Sequence, residues 1–239
     1  MDSDPSMAAQ VEFWTDWVRH AAGRDTDPDN IRRAAHVLEA VESVAGPGLR
    51  ILEVGCGTGW LARLLTSFGH VTAVDLPSEA LTHLRESDPQ IEWISGDFLH
   101  LELPGTYDVV VSLETIAHVP DQARFVDRIA EVLVPHGTVV LTTQNPTVWN
   151  RTSALRPPGP GQIRNWPSRR RLRALFAPRF VVRSLHTCAP GGDRGWVGLM
   201  RNRYLSGLGR RVLGARRWTQ VQERLGLGRS LVLVATRTS

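Results

Sequence analysis

Glu53, Gly55, Gly57 and Gly59 stand two residues apart, at the end of the short apolar run Ile51-Leu52-Glu53-Val54. Leu61, Leu64 and Leu65 follow at helical spacing, so the stretch reads as a buried strand, a glycine turn and a helix. That construction lets a backbone approach a nucleotide-like ligand closely, with the N–H groups of the helix start directed at it. Asp75 lies 20 positions after Gly55 at the end of the next apolar run, where an acid accepts hydrogen bonds from ribose hydroxyls. Its competing reading is a cap for the helix that begins near Ser78. Asp97 and Glu114 close two further runs, and His118 is a side chain whose ordinary pKa suits proton removal near neutral pH.

The same spacing disfavours two other nucleotide chemistries. A dinucleotide loop, Gly-x-Gly-x-x-Gly, would need glycine where the chain has Trp60, and a phosphate loop needs a lysine, which the chain lacks altogether.

The Glu-x-Gly-x-Gly-x-Gly arrangement of residues 53–59 resembles the first motif of class I S-adenosylmethionine-dependent methyltransferases, and the resemblance extends over roughly residues 50–145. It implies a cofactor site of Glu53, Gly55, Cys56, Gly57 and Gly59 at the glycine turn, with Asp75 and Leu76 on the next strand. It further implies that Asp97 accepts from the adenine amine with Phe98 against the ring, and that Leu113 and Glu114 lie near the methionine part. Glu114-Thr115-Ile116-Ala117-His118-Val119 is similar to the Glu-x-x-Glu-His-Val segment of ubiquinone-biosynthesis-type O-methyltransferases, and Thr142-Thr143-Gln144-Asn145 to their Thr-Thr-Pro-Asn. In some of those relatives the two glutamates and the histidine hold a metal ion. Ala117 replaces the second glutamate here, which removes a hard oxygen ligand, so no metal is expected.

His118 is then either a general base that takes a hydroxyl proton or a residue that orders the loop and orients the acceptor. Asn145, Arg164 and Trp166 are the expected acceptor contacts, the last two in a segment, residues 162–168, similar to one that begins a substrate-facing helix in relatives. Trp14 and Trp17 would close over the site from an amino-terminal helix. Surface and packing roles stand as the alternative for these aromatic and arginine residues. The Asn/Asp-Pro-Pro-Tyr motif of amino-group methyltransferases is missing from the fourth strand, which ends in Ser112-Leu113-Glu114-Thr115.

The elements that must position these groups follow from periodicity. Helices are expected over residues 7–22, 30–44, 78–85, 120–133 and 168–175, and strands over 51–54, 71–74, 91–94, 109–113, 138–143, 180–185 and 230–236. Pro135-His136-Gly137 reads as a turn, residues 146–168 as a loop excursion, and residues 194–225 as helical and arginine-rich. Strands alternating with helices imply an α/β fold: a doubly wound, Rossmann-like, mostly parallel seven-stranded sheet with helices on both faces. A helical cap (1–48), a cofactor-binding core (49–145) and a substrate-side insertion with the closing strands (146–239) would form one methyltransferase domain.

The net charge of +4 hides a division: residues 151–239 carry 19 arginines against Asp193 and Glu223, a net of +17, while residues 1–150 come to −13. Arg201, Arg203, Arg210, Arg211, Arg216 and Arg217 cluster among few acids and would attract an acidic or carrier-bound acceptor, an anionic surface or RNA. Trp196, Tyr204 and Trp218 are too sparse for a base-stacking platform, so nucleic acid ranks below a small-molecule partner. The two cysteines, Cys56 and Cys188, suggest neither a disulfide framework nor zinc. No apolar run approaches a membrane span and the amino terminus is acidic and polar, so a cytoplasmic setting is expected. The expected reaction is methyl transfer from S-adenosylmethionine to a small molecule, with a hydroxyl oxygen first. RNA methylation, nitrogen or carbon transfer, and a cofactor-binding protein without transfer activity are the rivals.

Overall fold

A computed structural model describes residues 4–21, 23, 26–44, 46–152, 155–191 and 211–239. Arg201, Arg203, Arg210, Trp196 and Tyr204 of the basic segment lie outside them.

Two helices, α1 (Met7–Arg19) and α2 (Pro28–Glu42), precede the sheet. Ser6 caps α1 through the Ala9 amide, and Asp27 caps α2 through Asp29 and Asn30, with Pro28 at the first helical position where its missing N–H costs nothing. The core then runs β1 (Leu49–Val54), α3 (Trp60–Leu65), β2 (Gly69–Asp75), α4 (Glu79–Ser87), β3 (Glu92–Ser95), β4 (Tyr107–Leu113), α5 (Gln122–Val132) and β5 (Leu133–Gln144). It closes with α6 (Pro146–Thr152), α7 (Arg169–Phe176), β6 (Phe180–Pro190), α8 (Ala215–Arg224) and β7 (Gly228–Arg237).

The seven strands lie in the order β3-β2-β1-β4-β5-β7-β6. All pairings from β3 to β5 are parallel, and β7 inserts antiparallel between β5 and β6. Alternate residues feed two cores. Leu52, Val54 and Val110 pack with Phe125 and Ile129 of α5 and Leu172 and Phe176 of α7, whereas Ile51, Val109 and Val111 pack with α2, α3 and α4. Burial on both faces explains the near-continuous apolar runs of β1 and β4.

Four expectations change. Residues 146–168 are not all loop: α6 forms because the Asn145 side chain accepts from the Thr147 amide and Pro146 occupies the first turn. Pro135-His136-Gly137 does not precede β5 but lies inside it, as a bulge that jumps the register from Tyr107↔Leu133 to Val109↔Thr138, with His136 at φ 62°. Leu64 is 44% exposed, because the buried stripe of α3 runs through Leu61, Ala62 and Leu65. Finally, α1 stops at Arg19, three residues short of the expected end.

Candidate active site

Strand order reverses between β1 and β4, and the carboxyl ends of β1, β2, β3 and β4 open there onto a cavity of about 420 Å³. The glycine turn leaves β1 along its floor. Gly55 sits at φ 81°, and a Cβ there would come within 2.0 Å of Thr115 Oγ1, so the turn and the end of β4 interlock only around glycine. At Gly57, φ 54°, a Cβ would meet nothing nearer than the Trp17 ring at 4.0 Å, so the backbone borders open cavity. Gly59 does a different job: it is absent from the wall, and its Cβ would strike the Trp93 ring at 2.5 Å. The third glycine therefore serves helix-to-sheet packing.

Asp75 accepts from the Gly57 amide at 2.6 Å and the Leu76 amide at 2.7 Å, which binds the end of β2 to the turn. Ser78 caps α4 instead, so the capping alternative for Asp75 does not hold. Burial raises the Asp75 carboxyl above its ordinary range, against those two amides. Glu53 is pushed up to about 8 by burial and then by Asp75, against an amide contact from Ala62, and its Oε2 has no partner among the described residues. Cys56, also in the wall, is a buried free thiol raised by burial. Asp97 accepts from Leu99 and His100, and Phe98 packs edge-on against Phe125 at 5.4 Å.

Glu114 departs from ordinary backbone geometry at φ 62°, rare for a residue with a Cβ and concentrated at functional sites. It is held there by its amide to the Thr142 carbonyl at 3.0 Å, by Thr142 Oγ1 on its carboxylate at 3.0 Å, and by Arg33 Nε at 3.5 Å. A short 3-10 turn, residues 116–118, then brings in His118. His118 Nδ1 donates to the Ile163 carbonyl at 2.7 Å, because a carbonyl only accepts, and this leaves Nε2 as the ring's acceptor. Burial lowers the imidazole below its usual pKa. Trp14 meets the ring edge-on at 4.7 Å. Ala117 is fully buried, and among the described residues no group of three or more His, Cys, Asp or Glu is placed to hold a metal.

Residues 162–166 are sewn to that turn. The Asn165 amide donates to the Ala117 carbonyl at 2.8 Å, and the Gln122 side chain donates to Ile116 and Asn165 carbonyls at 3.0 and 2.7 Å. Arg164 and Trp166 line the cavity as a stacked pair, 5.5 Å from guanidinium carbon to ring centre. Trp14 and Trp17 line it from α1. Asn145 does not reach the wall: its Nδ2 donates to the Gly228 carbonyl and its Oδ1 accepts from Thr147, so its amide ties β5 to β7 and starts α6.

The model of the family described as a methyltransferase domain matches residues 52–141. The chain is 37% identical over 162 residues to a ubiquinone biosynthesis O-methyltransferase of Xanthomonas campestris pv. campestris strain B100, covering 62% of this chain and 68% of that one. The chain belongs to the class I S-adenosylmethionine-dependent methyltransferases. Solved structures agree at the level of fold. The methyltransferase matches the N-methyltransferase NodS of Bradyrhizobium japonicum WM9, in complex with S-adenosylhomocysteine, with a TM-score of 0.65 at 15% identity over 96% of this chain and 98% of that one. It matches the S-adenosylmethionine-bound amino pentose methyltransferase CalS10 of Micromonospora echinaspora with a TM-score of 0.60 at 19% identity over 92% and 97%. The enzyme uses S-adenosylmethionine as methyl donor, and no helix among its described residues is long and apolar enough to cross a membrane.

Arg33, Gln144, Trp149, Gln162, Trp60 and Thr115 also line the methyltransferase's cavity and were not anticipated as contacts. Strand alternation could have found Gln144, since neighbours 144 and 145 point to opposite faces. Arg33 sits in an ordinary charged helix, and no local signal marks it.

Proposed function

We propose that this methyltransferase transfers the methyl group to a hydroxyl oxygen of a small molecule, with His118 as general base. The observation that carries the reading is the Nδ1 donation from His118 to Ile163 at 2.7 Å, which presents a basic Nε2 on a residue of the cavity wall. The name of the relatives, ubiquinone biosynthesis O-methyltransferase, supports oxygen as the acceptor atom.

The residues fit the cofactor. The open backbone at Gly57, the anchored Asp75 and the orphaned Glu53 Oε2 supply a close-approach surface and acceptors on one side of the cavity. Asp75 would hold ribose hydroxyls on the lone pairs its two amides leave free, Asp97 and Phe98 would take the adenine, and the adjacent Arg33 and Glu114 would take the amino-acid end, which carries both charges. Gly55, Cys56, Leu76 and Leu113 complete that wall. Bound there, S-adenosylmethionine supplies a methyl group on a cationic sulfur.

His118 acts on the acceptor. Nε2 accepts the hydroxyl proton, which frees an oxygen lone pair for bond formation, and Nδ1 keeps its donation to Ile163 throughout, fixing the ring plane. Trp14 and Trp166 wall the acceptor side and reduce its hydration, so positioning supplies much of the rate. We read residues 1–239 as one domain, with the 1–48 cap and 146–239 insertion closing a 49–145 core. Incubation with hydroxylated aromatic compounds, followed by mass analysis of the product and of S-adenosylhomocysteine, tests the reading. An O-methyl ether is expected, and exclusive N-methylation of mixed acceptors would reject it.

A further inference from the structure

Among the described residues, four acidic side chains and two arginines line the cavity, and their placement is uneven. Glu53, Asp75, Asp97 and Glu114 stand at or just beyond the carboxyl ends of β1 to β4, while Arg33 and Arg164 enter from outside the sheet. Arg33 is balanced by Glu114 at 3.5 Å and also donates to Ser230 and Asn30. Arg164 has no carboxylate partner among the described residues. Its Nη1 donates to the Arg156 carbonyl at 2.5 Å and its Nη2 to Gln162 Oε1 at 3.3 Å, two of the five N–H donors of a guanidinium.

We infer that the acceptor carries a carboxylate recognised by Arg164, so that the substrate class is a flat hydroxylated carboxylic acid. This rests on the methyl-transfer reading above. A half-buried cation without a counter-charge is costly, and an incoming carboxylate matches the planar guanidinium fork with two parallel hydrogen bonds. The guanidinium carbon lies over the Trp166 ring, 5.5 Å from its centre, and Trp14, Trp149 and Trp166 supply flat apolar walls for a ring. Arg164 is also fixed relative to His118. The carbonyl of Ile163, its neighbour, binds His118 Nδ1, and the amide of Asn165, on its other side, binds Ala117. A carboxylate on Arg164 therefore sets the distance from which a ring hydroxyl reaches Nε2. The two groups already feel each other, since the Arg164 charge adds to burial in pushing the His118 imidazole toward its neutral form.

The test is calorimetric binding of 3,4-dihydroxybenzoate and of its methyl ester to the full chain saturated with S-adenosylhomocysteine. The parent protein should prefer the acid by about tenfold or more, Arg164→Gln should reduce that preference to within about twofold, and Arg164→Lys should keep part of it. S-adenosylhomocysteine affinity should stay the same in both variants, which reports an intact fold. Equal affinity for acid and ester in the parent, no binding of the acid, or an acid preference that survives Arg164→Gln would each overturn the inference. Should Arg164→Gln fail to retain S-adenosylhomocysteine, the acid-to-ester ratio in the parent and in Arg164→Lys decides. Arg164-dependent binding of the acid without any O-methylated product would support the carboxylate site and reject the oxygen-transfer reading.

Discussion

At His118, the hydrogen bond of one nitrogen decides what the other is able to do. Donation from Nδ1 to Ile163 leaves Nε2 unprotonated, and burial keeps the ring neutral to lower pH than usual. The folded pKa lies below the ordinary 6.5, so a rate that needs neutral His118 is full at pH 7 and falls only as pH drops through that lowered value. Glu53 makes the opposite prediction for stability. Its folded pKa of about 8 exceeds the ordinary 4.5, so its contribution is fully present below 4.5 and lost as pH rises through 8. Denaturant midpoints should therefore show Glu53→Gln gaining on the parent between pH 5 and about 9. At the glycine turn, Gly57→Arg fills the open approach and should weaken S-adenosylhomocysteine binding by at least about tenfold in calorimetry, with unchanged affinity as the contrary result. Motif residues were the most legible part of the site. Glu53, Gly55, Gly57, Asp75, Asp97, Glu114 and His118 come together because strand ends in a parallel sheet share one edge. Gly59 and Asn145 carry the same motif signal, yet one packs under Trp93 and the other joins β5 to β7. A motif match alone does not separate a residue that faces a ligand from one that shapes the wall.

Among the elements, α2 and α8 are joined by charge rather than by a large apolar contact. Arg32 of α2 donates to both oxygens of Glu223 at 2.8 and 2.6 Å, and His36 stands 3.6 Å from the same carboxylate. Burial raises the Glu223 carboxyl, but Arg32 and His36 outweigh it and hold the group at about 2. Its stabilising contribution is thus present above 4.5 and lost only as pH falls through about 2. Arg32→Met would leave a nearly buried carboxylate without its guanidinium, a loss of about 3–5 kcal/mol where such pairs have been broken. A drop in Tm of several degrees is expected in calorimetric scans, and an unchanged Tm would show the pair to be dispensable. Sequence spacing placed most strands and helices to within a few residues, because two-sided burial writes an apolar run into each strand. It could not place the contact between Arg32 and Glu223, which are 191 positions apart. Nor did it separate α6 from the proline-rich stretch after it, since Pro146, which opens the helix behind the Asn145 cap, reads as one more proline of that stretch.

For the whole molecule, the reversal of strand order between β1 and β4 places the glycine turn, the His118 turn and the tryptophans of α1 around one cavity. The charge division is partly an internal matter. Arg179 meets Asp127 at 3.1 Å and Arg229 meets Asp29 at 3.7 Å, so arginines of the basic half find acids in the other half. On that basis bulk tRNA should show no saturable binding at physiological ionic strength, and tight binding with a steep salt dependence would favour RNA as the substrate. Fold and donor were legible from the order of the strands and the residues at their ends. The far side of the cavity was less so, because it is drawn from α1, α2, α6 and residues 162–166, segments joined only by folding. The most direct test of the central claim is the pH–rate profile for O-methylation of a hydroxylated aromatic acceptor by the parent and by His118→Ala. The expected result is a parent rate that declines only below about pH 6.5, and a variant slowed by roughly 10²–10⁴-fold with that decline abolished. A variant that keeps the parent's rate and profile would contradict the role of His118.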